Sequence, residues 1–164
     1  MRGFSLVELL VAVGITSLLV ASGVPAFRSY QQQVNGERVA NDVAELIVAA
    51  RTLALSPGAD KADEVAAYGV TFSVARVPKI LELREFSIAG SNYVPGRVEQ
   101  TLMLPSDITD VRIAPSEATH VLFPLAMFGA STSSVAVTIV GGNNWTRTVA
   151  VTGPTGQVQV QHAQ

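Results

Sequence analysis

Glu8 is a carboxylate in apolar surroundings. The run 4–27 reads FSLVELLVAVGITSLLVASGVPAF, and residues 9–24 within it carry no charge. In hydrocarbon an unpaired carboxylate costs at least about 2.5–3.5 kcal/mol on insertion scales, so Glu8 needs a partner. Ser5-x-x-Glu8 offers one at short range. It is a capping box, in which the hydroxyl and the carboxylate each accept from the other residue's backbone N–H at the start of a helix. Chemistry of other kinds has little to build on. There is no cysteine, which removes thiolate catalysis, disulfides and cysteine-held metals. His120 and His162 are far apart in sequence, and no HExxH, acidic metal cluster, G-x-S-x-G, P-loop or G-x-G-x-x-G motif is present. We therefore expect no catalytic, metal or cofactor-binding residues and no enzymatic activity. Asn144-Trp145-Thr146 fits the N-glycosylation pattern in an expected turn. Trp145 itself suits either loop packing or an exposed contact.

The element that positions Glu8 is a helix. Residues 4–27 in that form run about 36 Å, enough to cross a hydrocarbon core of about 30 Å. Arg2 precedes the run and would stay on the cytoplasmic side, with the bulk of the chain outside. Three readings suit such a segment: a secretory signal cleaved near Ala21-Ser22-Gly23, a plain membrane anchor, or the leader and stem of a filament subunit. The run is longer than the usual apolar core of a signal peptide, and a carboxylate inside it counts against that reading.

Helical spacing continues past the apolar run. Val39, Val43, Leu46, Ile47, Ala50 and Leu53 recur every three or four residues, with Glu37, Arg38, Asp42, Glu45 and Arg51 between them. This predicts an amphipathic half of the same helix over 28–56, stopped by Ser56-Pro57-Gly58, with its apolar stripe against the rest of the protein. Gly14, Gly23, Pro25 and Gly36 are weak points along it, either tolerated passively or sites where the stem bends.

Beyond residue 57 the pattern becomes that of strands. They are expected at 67–74, 80–88, 98–104, 111–114, 120–124, 135–140, 147–152 and 156–161, antiparallel and covering the stem helix with one sheet face. Turns are expected at Gly90, Pro95-Gly96, Pro105, Pro115, residues 141–144 and residues 153–156. Residues 60–64 should link stem to sheet. Tyr68, Phe72, Phe86, Phe123 and Phe128 are the expected aromatic core. The fold class is α+β: a long N-terminal helix on an antiparallel β-rich head spanning 57–164.

Met1-Arg2-Gly3, then Phe4-Ser5-Leu6-Val7-Glu8-Leu9-Leu10, resembles the signal of type IV pilins and pseudopilins: a short basic leader ending in Gly, then Phe, then Glu at the fifth position after it. The resemblance implies a leader of residues 1–3, cleavage by a prepilin peptidase between Gly3 and Phe4, and N-methylation of Phe4. Pro25 falls where pilins of this class carry a helix-bending proline. The amine freed on Phe4 would sit at about the depth of Glu8, so Glu8 of one copy could pair with Phe4 of its neighbour and set axial register. Implied partners are other pilin subunits, alike or different, the peptidase, an inner-membrane assembly platform and lipid. The implied location is the cytoplasmic membrane, then an extracellular or periplasmic filament.

Ala49-Ala50-Arg51, Tyr68-Gly69-Val70-Thr71-Phe72, Val121-Leu122-Phe123-Pro124 before Gly129, and Val149-x-Val151 with Gly156-x-Val158 resemble the minor pilin group that includes the H-type pseudopilins of type II secretion and the T-type minor pilins of type IV pili. A pseudopilin, or a tip pilin that binds DNA or cargo, is thus an alternative to a pilus subunit. The charge balance gives DNA little support. Net charge is −2, from 11 basic and 13 acidic residues, and the Lys and Arg are scattered. No Lys or Arg lies in residues 153–164, so phosphate contact would depend on folding bringing Arg97, Arg112 and Arg147 together.

Overall fold

The computed structural model describes residues 5–58, 64–73, 79–116, 119–142 and 145–162. It has one long N-terminal helix and antiparallel β-sheets. Helix α1 is Leu6–Leu55. Among the described residues eight strands follow: β1 Ala67–Ser73, β2 Ile80–Ala89, β3 Asn92–Met103, β4 Ile108–Ala114, β5 His120–Pro124, β6 Val135–Gly141, β7 Thr146–Thr152 and β8 Gln157–His162. A 3-10 turn, Leu125–Met127, follows β5. The chain divides into two compact units, Met1–Asn35 and Gly36–Gln164.

In the second unit the amphipathic stripe of α1 is buried as its spacing predicts. Val39, Val43, Leu46, Ile47, Ala50 and Ala54 sit in one core with Tyr68, Val70, Phe72, Leu83, Phe123, Val137, Ile139 and Val149, while Leu53 packs at its margin. Each fully buried Val, Leu or Ile of this set contributes roughly 1.5–3 kcal/mol. The charged residues of the same helix face outward because the 3.6-residue period keeps them off the stripe.

Among the described residues the strands form two sheets. Their orders are β3-β2-β1-β5 and β4-β6-β7-β8, all pairs antiparallel. The chain leaves the first sheet at Leu104-Pro105, where proline cannot donate to a ladder, makes β4, returns for β5, and leaves again. Period-two alternation marks a strand's two faces without saying which sheet it joins. Central strand β1 is covered on both sides. Tyr68, Val70 and Phe72 face the main core, and Ala67 joins Phe86, Leu122 and Tyr93 in a small cluster on the other face.

Two expectations fail here. Pro95-Gly96 is not a turn. Strand β3 runs through it from Asn92, with register shifts opposite residues 83–86, and the turn lies at Gly90-Ser91, where Gly90 has φ of +66°. An edge strand with a bulge accommodates a proline because one side of its backbone has no ladder to supply. Phe128 is not core either. It is 85% exposed, in left-handed conformation with φ 49° and ψ 47°, ending the 3-10 turn. The remaining expected strands are found within a few residues of their bounds. Asn144 and most of 60–64 lie outside the described residues.

Candidate assembly segment and head contacts

The first unit is described from Ser5, so Gly3 and Phe4 lie outside the described residues. The capping box is present in full. The Ser5 amide donates to Glu8 Oε2 and the Glu8 amide donates to Ser5 Oγ, each at 3.2 Å. This satisfies two helix-start donors and gives the carboxylate a neutral partner within its own chain. Other hydroxyls in the run bond to the helix too: Thr16 Oγ1 donates to the Ala12 carbonyl at 2.7 Å, Ser17 Oγ to Val13 at 2.8 Å, and Ser22 Oγ to Leu19 at 3.1 Å. Polar groups closed on their own backbone are what an apolar surrounding demands.

Pro25 lies inside α1 and has no N–H to give the Ala21 carbonyl one turn back. Every residue from 5 to 31 is exposed, including Leu6, Leu9, Leu10, Leu18, Leu19 and Phe27. An apolar surface this extensive calls for lipid or other helices to cover it. The helix is long and apolar enough to cross a membrane.

Residues 1–24 match the family model of the prokaryotic N-terminal methylation motif. The matched stretch includes Glu8 and most of the apolar run, and it supports a type IV pilin-like chain that is a substrate of prepilin peptidase. No curated protein and no solved structure matches the chain.

The head arginines considered for phosphate contact each face a carboxylate. Arg97 Nε is 3.8 Å from Glu99, Arg112 Nε is 2.8 Å from Asp110, and Arg147 Nη2 is 3.6 Å from Glu37. The Arg112 hydrogen bond holds the Asp110 carboxyl below its usual range. Arg97 belongs to β3 in one sheet, and Arg112 and Arg147 to β4 and β7 in the other. His120 is half-buried on β5, its ring centroid 5.6 Å from that of Phe86, its Nδ1 2.9 Å from Thr119 Oγ1, and burial lowers its pKa. Among the described residues no group of three or more His, Asp or Glu is placed to hold a metal ion.

Of two further head contacts, the packing of Trp145 is one of the two roles expected for it, and the Arg51 clamp was not foreseen. Trp145 is 9% exposed and lies between Gly36 of α1 and Gly141 of β6, so its role is packing. Arg51 clamps two loops, its Nε donating to the Gly129 carbonyl at 3.0 Å and its Nη2 to the Thr155 carbonyl at 3.1 Å. A side chain at Gly156 would strike that same Gly129 carbonyl. The motif residues Arg51, Gly129 and Gly156 therefore converge, a grouping that only the folded chain reveals.

Proposed function

We propose that this chain is a structural subunit of a type IV pilus or pilus-like filament. Residues 1–3 are the leader, prepilin peptidase cuts between Gly3 and Phe4, and Phe4 is then N-methylated. Residues 4–27 wait in the cytoplasmic membrane with the head outside. They become the filament core when subunits are added at an inner-membrane platform. Residues 28–56 are the amphipathic half of the stem and 57–164 the head.

The observation that carries this reading is the exposed, apolar stretch of α1 up to residue 31, whose one carboxylate, Glu8, lies in the first turn. A neighbour's Phe4 amine at the same depth would neutralise that charge, and an ion pair in a medium of low dielectric constant is strong enough to fix register. Pro25 provides the place where the stem bends in the packed core.

Mass spectrometry of the isolated protein tests the reading. The expected product starts at an N-methylated Phe4. An intact Met1, or a start at Val24 after cleavage of a secretory signal, would contradict it.

A further inference from the structure

Phe128 is an anomaly of the head. A bulky residue in left-handed conformation costs roughly 1–2 kcal/mol, and here the ring so placed is 85% exposed. The loop that holds it is not slack. The Phe128 amide donates to the Leu125 carbonyl, the Ala130 amide to Met127 at 3.0 Å, and the Ser131 amide to Gly153 at 2.8 Å. Arg51 grips the Gly129 carbonyl from the helix, and Gly129, at φ +79°, holds a backbone conformation that disfavours any side chain and lies against Leu55. Met127 beside Phe128 and Leu55 beneath the loop are also exposed. The chain thus fixes an apolar knob in solvent at a cost in backbone strain, and strain of this sort persists where the surroundings enforce it.

The same unit also contains a receptacle. An open cleft of about 520 Å³ lies between α1 and the edge of the first sheet, walled by Val48, Ala49, Leu53 and Leu83, with Glu45 and Glu99 among its polar lining. At 100° per residue, the exposed ridge of α1 near Val48 and Thr52 separates two flanks. Arg51 and Leu55, which hold the knob's loop, fall on one flank, and Ala49 and Leu53, which wall the cleft, on the other. A knob and a hole on opposite flanks of one surface cannot meet within a chain, but they can meet between copies. The charges agree, since Arg51 accompanies the knob and Glu45 borders the cleft.

We infer that Met127 and Phe128 of one copy seat in the cleft of a second copy of this chain. The contact is heterologous, knob to hole, so it leaves a free knob and a free hole at the ends and propagates rather than closing as a dimer. It rests on the filament reading and deepens it, adding a head-to-head contact to the stem packing. Aromatic anchors filling desolvated pockets are the usual centres of such interfaces.

The absence of native cysteine makes the test clean. Full-length protein carrying both Phe128→Cys and Thr52→Cys is treated with a short bismaleimide in cells and in sheared filaments. A ladder of dimers, trimers and higher species is expected. Each single variant, and Phe128→Cys combined with Ile88→Cys near the end of β2, should give no ladder. Phe128→Gly separates folding from contact: relief of the left-handed strain should leave the melting temperature in detergent unchanged or higher, while filament yield falls. Filaments that form normally without cross-linking overturn this inference and leave the filament reading standing. Dimers alone overturn the heterologous geometry. A correctly folded wild-type chain that forms no filaments, together with a double-cysteine variant that gives no ladder, overturns both.

Discussion

Trp145 occupies the space that a side chain at Gly36 would need. A methyl group built there would stand 2.8 Å from Cε3 and 2.9 Å from Cζ3 of the indole, and the far side of the ring lies against Gly141, so the ring has no room to retreat. Gly36→Ala would gain about 1 kcal/mol of helix propensity. Overpacking of about 1–3 kcal/mol outweighs it. We expect a lower melting temperature for the full chain in detergent, whereas a rise would mean that the ring slides aside.

Arg51 ties the C-terminal end of α1 to the Gly129 and Thr155 loops through two charge-assisted hydrogen bonds. Each is worth about 1.5–3 kcal/mol when well buried. Arg51 is only half-buried, so Arg51→Ala should destabilise by about 2 kcal/mol in total. Arg51→Lys should recover little, because an ammonium cannot span both carbonyls as a guanidinium fork does. Chemical denaturation of the three proteins side by side checks this.

The Ser5–Glu8 capping box lets two roles of one side chain be separated. Glu8→Gln keeps an acceptor for the Ser5 amide but carries no charge. Under the proposed assembly, it should be cleaved and inserted normally while filament abundance drops sharply by electron microscopy. Ser5→Ala should do the reverse, losing about 1 kcal/mol of local cap stability with filaments retained. Equal filament numbers for Glu8→Gln and wild type would remove the register role.

His120 makes stability depend on pH with a defined sign. Burial against Phe86 lowers its pKa from 6.5, so the unfolded chain takes up a proton that the folded chain resists. The stability this protects is complete above about 6.5 and is lost as pH falls through the depressed folded value. Thermal melts from pH 7.5 to 5 should therefore decline, and His120→Gln should flatten that part of the profile.

Much of the architecture was legible because two periods are hard to disguise. The three- and four-residue spacing from Val39 to Ala50 predicts the buried stripe of α1, and the alternation in residues 157–161 predicts β8. The Ser5-x-x-Glu8 spacing is local, so the capping box follows from it directly. What was not legible depends on the company that residues keep after folding. Pro95-Gly96 reads as a turn unless β3 is known to be an edge. Phe128 reads as core unless the 3-10 turn that flings it outward is known. Arg51, Gly129 and Gly156 are spread over most of the chain, and only folding brings them together.

The capping box also bears on disassembly. Under the proposed assembly, a subunit leaving the filament would part Glu8 from its neighbour's amine while the side chain is still in lipid. Because Ser5's own backbone is within reach, the acid returns to an accommodated resting state instead of a bare charge. On that proposal, extraction would exchange one partner for another and spare the membrane a bare charge.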